Sequence, residues 1–177
     1  MNTRLCGALT ALIMLTTSSF SSFADSSNRA SVDRGRYLVH IAGCNDCHTA
    51  GYGASGGNIP QSEWLKGDIV GWRGPWGTTY APNLRLSLSA LTEGQWVTFA
   101  RHLSSRPPMP WFNLNAMTEE DLQSIYRFIK QLQPLGDPAP TYVPPGVEPN
   151  TPYVLFPATP EGSQSAHVFT TGGNTSQ

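Results

Sequence analysis

The sequence predicts a helical domain followed by an extended tail. Three segments between residues 31 and 132 place apolar side chains at the three- and four-residue spacing of amphipathic helices. The segments that join them are rich in glycine and proline, which interrupt regular structure. Nine of the 15 prolines then lie between residues 134 and 160, so this part of the chain is expected to be extended.

Length and charge restrict the kind of protein further. A chain of 177 residues is the size of one ordinary domain. Its formal charge is −1 at pH 7 and it has no basic patch, which argues against nucleic acid as a partner. The expected organisation is a removed leader at residues 1–24, one domain at 25–133 and a proline-rich tail, extended or disordered, at 134–177.

The first residues have the pattern of a secretory signal peptide. Arg4 supplies a positive charge, residues 5–16 are apolar and uncharged, and Ser22 and Ala24 are small residues at the cleavage positions. The apolar run is too short to predict a membrane span. We expect export and cleavage after Ala24, with no transmembrane segment afterwards; an uncleaved N-terminal anchor is the alternative.

The first helix is predicted over residues 31–42, with Ser31 as its N-cap. One face of this helix is formed by Tyr37, Leu38 and Ile41. Gly35 costs about 1 kcal/mol relative to alanine inside a helix, so it suggests close packing against another element. The polar residues 25–30 before this helix are expected to be irregular.

Two more helices follow. The second begins at Thr92, whose spacing from Gln95 is that of a capping box. Its apolar side chains are Trp96, Phe99, Ala100 and Leu103. The third begins at Thr118 and has three acidic residues in its first turn, where the helix dipole favours them. Its apolar face is Leu122, Ile125, Tyr126, Ile129 and Leu132, and Pro134 ends it.

Between the first two helices lies Cys44-Asn45-Asp46-Cys47-His48, the attachment sequence of c-type haem. The two thiols would add to the haem vinyl groups from one side of a short helical turn. His48 follows at once, so that its imidazole could bind the iron as proximal ligand. The motif therefore predicts one covalent haem c on Cys44 and Cys47, with His48 on the iron.

Two other interpretations of the cysteine pair remain open. A zinc site that uses His48 or His40 would need a fourth ligand, and the remaining histidines, His102 and His167, lie far along the chain. A thioredoxin-like redox pair would need a βαβ context, and no strand-like run precedes Cys44.

The region between the haem motif and the second helix is predicted to form loops. Residues 51–57 are rich in glycine but lack the Gly-Lys-Ser/Thr ending of a phosphate-binding loop. Residues 64–84 hold three tryptophans and four glycines, a composition that favours neither helix nor strand. Its aromatic rings could cover a flat apolar cofactor, and hydrogen bonds to a propionate could come from Trp72, Arg73, Trp76 or Tyr80. Ordinary loop packing is the alternative.

Met109 is the candidate for the second iron ligand. Pro108 and Pro110 hold it in an extended loop, and a thioether sulfur is a suitable ligand for haem iron opposite a histidine. It also lies far enough after His48 for the chain to pass round the haem edge. Met117 is the alternative, although its position before the third helix suits a hydrophobic staple.

These residues resemble the class I cytochromes c over about residues 32–132. The resemblance depends on Gly35 and Tyr37 in the first helix, the haem motif, the proline-flanked Met109 and the last helix. Tyr80-Ala81-Pro82-Asn83 and Met109-Pro110-Trp111 also resemble monohaem domains that serve bacterial dehydrogenases as electron acceptors. The tail lies outside the family pattern, and haem binding is expected not to need it.

The resemblance implies an all-α cytochrome c fold, three or more helices around one covalent haem, with the first and last helices crossing near Gly35. It implies a low-spin haem that carries single electrons in the periplasm of a Gram-negative bacterium, and not an enzyme of its own. The partners would be redox proteins: a dehydrogenase, an oxidase or another cytochrome, including as a subunit of an oxidoreductase complex. The alternatives are a haem enzyme or a redox or gas sensor, both of which need a labile distal ligand.

Overall fold

The computed structural model describes residues 19–157. Within them the chain forms six helices, one 3-10 turn and three short strands. In chain order these are α1 (Ser19–Ile41), α2 (Cys44–His48), the turn Gln61–Glu63, β1 (Gly71–Gly74), β2 (Gly77–Tyr80), α3 (Leu84–Ser89), α4 (Glu93–His102), α5 (Trp111–Ala116), α6 (Glu119–Gln131) and β3 (Tyr153–Leu155). Over that part of the chain, no helix has the length and apolar character to cross a membrane.

The core is built on the contact between α1 and α6. A Cβ atom at Gly35 would clash with the carbonyl oxygen of Ser124 and lie 2.9 Å from Cβ of Phe128. The two helices therefore touch backbone to backbone at Gly35, as its presence inside a helix suggested. The side chains buried around this contact include Leu38, Val39, Leu65, Trp96, Ala100, Leu122, Ile125, Phe128 and Ile129.

The first helix begins earlier than predicted. It starts at Ser19, so Ser31 is an internal residue and its prediction as N-cap was wrong. Its hydroxyl instead lies 3.1 Å from the hydroxyl of Ser124 and accepts a hydrogen bond from Arg127. The prediction that residues 25–30 are irregular was also wrong, because no glycine or proline interrupts the helix there. The predicted cleavage point, Ala24, falls inside α1, and residues 1–18 lie outside the described chain.

The buried face of α1 also differs from the prediction. Tyr37 and Ile41 are 52% and 55% exposed, whereas Leu38 and Val39 are buried. The reason is the contact at Gly35, which fixes the rotation of α1. Residues three and four positions after Gly35 then face α6, and Tyr37 points away from it.

The predictions for α4 and α6 are confirmed at their N-termini. Thr92 and Gln95 form the capping box of α4, and the side chain of Thr118 accepts a hydrogen bond from Asp121 N at the start of α6. The indole of Trp96 donates to Leu122 O at 2.8 Å and ties the two helices together. Phe99, expected on the apolar face of α4, is instead 51% exposed.

The fold is not purely all-α, because residues 71–80 form a hairpin. β1 pairs antiparallel with β2 and parallel with β3, in the order β2-β1-β3. The prediction that this region forms no strand was wrong. Its Trp, Thr and Tyr side chains favour strands, and Gly77, with φ of 95°, allows the tight turn between them.

The described part of the tail packs along both edges of this hairpin. Val143 forms an isolated antiparallel bridge with Thr78 on the outer side of β2, and β3 lies against β1. The ring of Phe156 contacts Trp72 and Trp76 at 6.0 and 5.2 Å between centroids. Residues 143–156 of the tail therefore pack against the hairpin.

Candidate functional site

The haem-attachment motif forms α2, a single short helix that follows directly on α1. Gly43 precedes it with φ of 71°, a left-handed conformation that glycine adopts without strain. Both thiols are free and partly exposed. Cys44 packs against the core, and burial raises its thiol pKa to about 11. Burial, together with neighbouring carboxylates, also raises the pKa of Cys47.

His48 is buried and held at both its ring and its backbone. Its Nδ1 donates to the carbonyl oxygen of Pro82 at 2.8 Å, and its own carbonyl oxygen accepts from Gly67 N at 2.8 Å. Because a carbonyl can only accept, the ring proton is on Nδ1 and Nε2 keeps its lone pair for a metal. Burial lowers the pKa of this imidazole, which favours the neutral form that a metal ligand needs.

The two segments that hold His48 are packed against each other. A Cβ atom at Gly67 would lie 2.8 Å from Asn83 N and 2.9 Å from Ala81 O. Only glycine allows this approach, which places the Pro82 carbonyl next to His48. The arrangement explains why a glycine with φ of 78° occurs in this loop.

A buried polar chain fixes the motif from its other side. Asn45 accepts a hydrogen bond at Oδ1 from the hydroxyl of Thr49 at 2.8 Å. The same hydroxyl accepts from Leu65 N at 2.8 Å. Asn45, Thr49 and Leu65 are almost fully buried, so the loop after α2 is anchored to the motif itself.

An open cleft of about 640 Å³ lies between β2, the segment before Met109 and the tail. Pro82, whose carbonyl oxygen accepts the hydrogen bond from His48 Nδ1, lines this cleft together with Tyr80, Ser105 and Arg106. The guanidinium of Arg106 lies 4.0 Å from the ring centroid of Tyr142 on the tail side. The cleft therefore places a cation and hydroxyl groups beside the segment that orients His48.

Met109 lies in a loop that is fixed to the hairpin. The hydroxyl of Thr79 donates to Pro107 O at 2.8 Å, and Trp111 N donates to Met109 O at 2.9 Å. Met109 is half-buried and packs against the core, as does Met117. Burial therefore does not distinguish the two methionines, and Met109 stays the predicted ligand on the strength of its loop.

The aromatic residues predicted for the haem pocket have partners within the protein. The indole of Trp76 donates to Trp72 O at 3.3 Å, and both rings contact Phe156. Trp72 and Trp76 thus form the surface on which the tail packs.

Arg73 and Tyr80, the other two predicted pocket residues, also contact the tail. Arg73 forms an ion pair with Glu148 at 2.6 Å and lies over the ring of Tyr153. Tyr80 lines the cleft, but its hydroxyl is 2.7 Å from the hydroxyl of Thr151. Of the four predicted residues, Tyr80 is the one that lies on the cleft shared with Pro82.

The other described histidines are placed away from a shared metal site. His40 Nδ1 is 2.9 Å from the hydroxyl of Tyr52, and the exposed His102 donates to the carbonyl oxygen of Thr98. Among the residues the structure describes, no three His, Cys, Asp or Glu side chains are grouped to hold a metal ion. The zinc alternative therefore lacks ligands in this part of the chain.

Sequence reasoning did not identify the role of Pro82. This residue occurs in the Tyr80-Ala81-Pro82-Asn83 segment that carries part of the resemblance, but it acts through its backbone carbonyl. A backbone acceptor leaves no signal in a residue type, and only the resemblance could have pointed to it.

Comparison with known proteins gives one informative similarity. No family model and no solved structure matches the chain. The fructose dehydrogenase cytochrome subunit of Gluconobacter japonicus is 29% identical over an alignment of 126 residues, which covers 65% of this chain and 24% of that subunit. The chain thus spans about a quarter of the length of this relative. The similarity suggests a cytochrome c domain that takes part in electron transfer.

Proposed function

We propose that this chain is a one-electron carrier with a single covalently attached haem c. The observation that carries the proposal is the geometry of α2. One short helix holds two free thiols and a buried histidine whose Nδ1 is bonded to Pro82 O, 2.8 Å away. That bond leaves Nε2 as the ligand atom. When bound, the haem supplies an iron that changes its charge by one electron.

Each proposed residue has a distinct task. Cys44 and Cys47 would hold the haem through thioether bonds, and His48 and Met109 would bind the iron. Thr79 supports the Met109 loop through its hydrogen bond to Pro107 O. Two fixed ligands would leave no open iron position, which favours electron transfer over the enzyme and sensor alternatives.

The proposed partners and location follow from chemistry and similarity. The relative is a cytochrome subunit of a dehydrogenase, so we propose a dehydrogenase as electron donor and a respiratory protein as acceptor. The chain would act as a separate carrier or as a subunit of such a complex. The proposed location is the periplasm, because c-type haem is attached outside the cytoplasm and residues 1–24 have the pattern of a leader.

The test is retention of haem after denaturation. Haem stain should stay with the protein on denaturing electrophoresis, and Cys47→Ala should weaken or abolish it, because one thioether bond is lost. Asp46→Ala is the matched control, since Asp46 lies in the motif but supplies no thiol, and its stain should equal that of the parent. The intact mass should correspond to residues 25–177 plus one haem. Stain that leaves the parent protein on denaturation would contradict covalent attachment.

A further inference from the structure

Asn83 joins three parts of the chain through one buried side chain. It is 2% exposed and directly follows Pro82. Its Oδ1 accepts from Leu86 N at 3.1 Å and caps α3. Its Nδ2 donates to Leu135 O at 2.8 Å and to Asp137 O at 3.2 Å. Asn83 therefore bonds to the start of α3 and to residues 135–137, called here the tail bend.

The backbone around Asn83 leaves the Pro82 carbonyl little freedom. Gly67 packs against residues 81–83 on one side and donates to the carbonyl oxygen of His48. On the other side of residues 81–83, the side-chain amide of Asn83 donates hydrogen bonds to the tail bend. The peptide group between Pro82 and Asn83 carries the carbonyl oxygen that accepts the hydrogen bond from His48 Nδ1. A backbone rotation at Asn83 would therefore move that oxygen.

We propose that Asn83 is a positioning residue for His48. Its hydrogen bonds to the tail bend hold the Pro82 carbonyl oxygen where it accepts the hydrogen bond from His48 Nδ1. This inference rests on the proposed function, because the property it affects is the midpoint potential of the haem iron. A hydrogen bond from Nδ1 makes the imidazole more electron-donating, which favours oxidised iron. Loosening the bond should therefore favour reduced iron and raise the midpoint potential.

The tail bend offers a way to test this link from its other end. Gly136 has φ of 83°, and a Cβ atom there would lie 3.4 Å from Asn83 Nδ2 and 3.5 Å from Cδ of Lys66. An alanine at this position is strained by its backbone conformation, so the tail bend would have to shift where it accepts from Asn83. Gly136→Ala should thus weaken the same link while Asn83 remains present.

The decisive variant is Asn83→Ser. Serine retains an oxygen that can cap α3 but lacks the two amide donors to the tail bend. The haem-loaded variant should have a more positive midpoint potential than the parent. In its reduced form, the Nδ1 proton of His48 should exchange with solvent faster, on the order of tenfold, because one hydrogen bond is weakened. Tyr126→Phe is the control, since Tyr126 donates to Leu91 O at 2.7 Å and is not bonded to the His48 segment.

Gly136→Ala should shift both readouts in the same direction as Asn83→Ser. The double variant should shift them by less than the sum, because the two changes act on one link. Tyr126→Phe should lower stability and leave both readouts at the parent values.

The outcomes separate the inference from the proposed function. Haem-loaded Asn83→Ser with the potential and proton exchange of the parent would overturn the inference and leave the proposed function intact. If Asn83→Ser does not yield folded protein, the inference is tested with Gly136→Ala, by the midpoint potential and the exchange of the His48 Nδ1 proton. If the parent protein holds no covalent haem, the proposed function fails, and the positioning role of Asn83 fails with it.

Discussion

His48 shows how one residue depends on backbone groups far from it in sequence. Its ring is oriented by Pro82 and its carbonyl by Gly67, and neither contact involves a side-chain donor or acceptor of those residues. If His48 binds the iron as proposed, a ring held in this way would change its iron bond little between redox states. Such rigidity lowers the rearrangement that accompanies electron transfer, which suits the proposed carrier.

The choice between two methionines is the residue-level prediction on which the carrier role depends. Met109→Ala should keep the haem attached, lower the midpoint potential and let carbon monoxide or imidazole bind the iron, because a thioether favours ferrous iron and closes the site. Optical titration with each ligand measures this.

Met117→Ala is the matched control, since Met117 packs against the same core. It should reduce stability only, by up to about 2–5 kcal/mol. Ligand binding to Met117→Ala but not to Met109→Ala would reverse the assignment. If neither variant binds added ligands, another side chain such as His102 becomes the candidate ligand.

Among the elements, the contact of α1 with α6 leaves no room for a side chain at Gly35. Gly35→Ala should lower the free energy of unfolding by about 1–3 kcal/mol, because its Cβ meets the backbone of Ser124. Gly94→Ala is the control, since a Cβ at this α4 position would have no neighbour within 4 Å. It should change stability by no more than about 1 kcal/mol, in the stabilising direction. Equal effects in urea unfolding would contradict the close contact.

The strand that the tail adds to the hairpin depends on Phe156. Phe156→Ala should destabilise the protein by about 1–2 kcal/mol and alter tryptophan fluorescence, because two indole contacts are lost. Leu155 next to it is 68% exposed, so Leu155→Ala should change stability by less than about 0.5 kcal/mol. A Phe156 variant that matches the parent in both measurements would show that the tail does not pack on the hairpin.

At the scale of the whole molecule, the tail contacts predict that removal of the tail lowers stability without preventing haem attachment. A chain ended after Gln133 should still attach haem, because all proposed attachment and iron-binding residues precede it. It should unfold at a lower urea concentration, since the pairing of β1 with β3 and the bonds of Asn83 to the tail bend are lost.

The control for truncation is a chain ended after Pro157, which keeps each described tail contact. Its urea midpoint should equal that of the parent. Gln133 is kept in both chains because its carbonyl oxygen accepts from Arg85 at 2.6 Å. Equal urea midpoints for the two truncated chains would show that the tail contributes nothing to the fold.

The sequence predicted those parts of the molecule whose signals are local. Thr92 and Thr118 mark helix starts because capping acts within one turn, and the haem motif is contiguous. The buried face of α1 was missed because tertiary contact at Gly35 decides the rotation of the helix. The hairpin was missed because its glycines interrupt the alternation of apolar and polar residues that marks a strand. Both of its edges also pair with tail residues that lie far away in the sequence. Pro82 and Asn83 act between segments far apart in the chain, where spacing carries no information.

The parallel pairing of β1 with β3 imposes an order on the assembly of the molecule. Gly71 cannot meet Tyr153 until the chain has been synthesised or exported past that point, whereas the six described helices and the haem motif all come earlier. The β1 edge of the hairpin therefore stays unpaired until β3 is present, and closing a loop of this length carries an entropic cost. An unpaired edge invites pairing with other chains. Pairing with β3 then covers the edge of β1 that had been free.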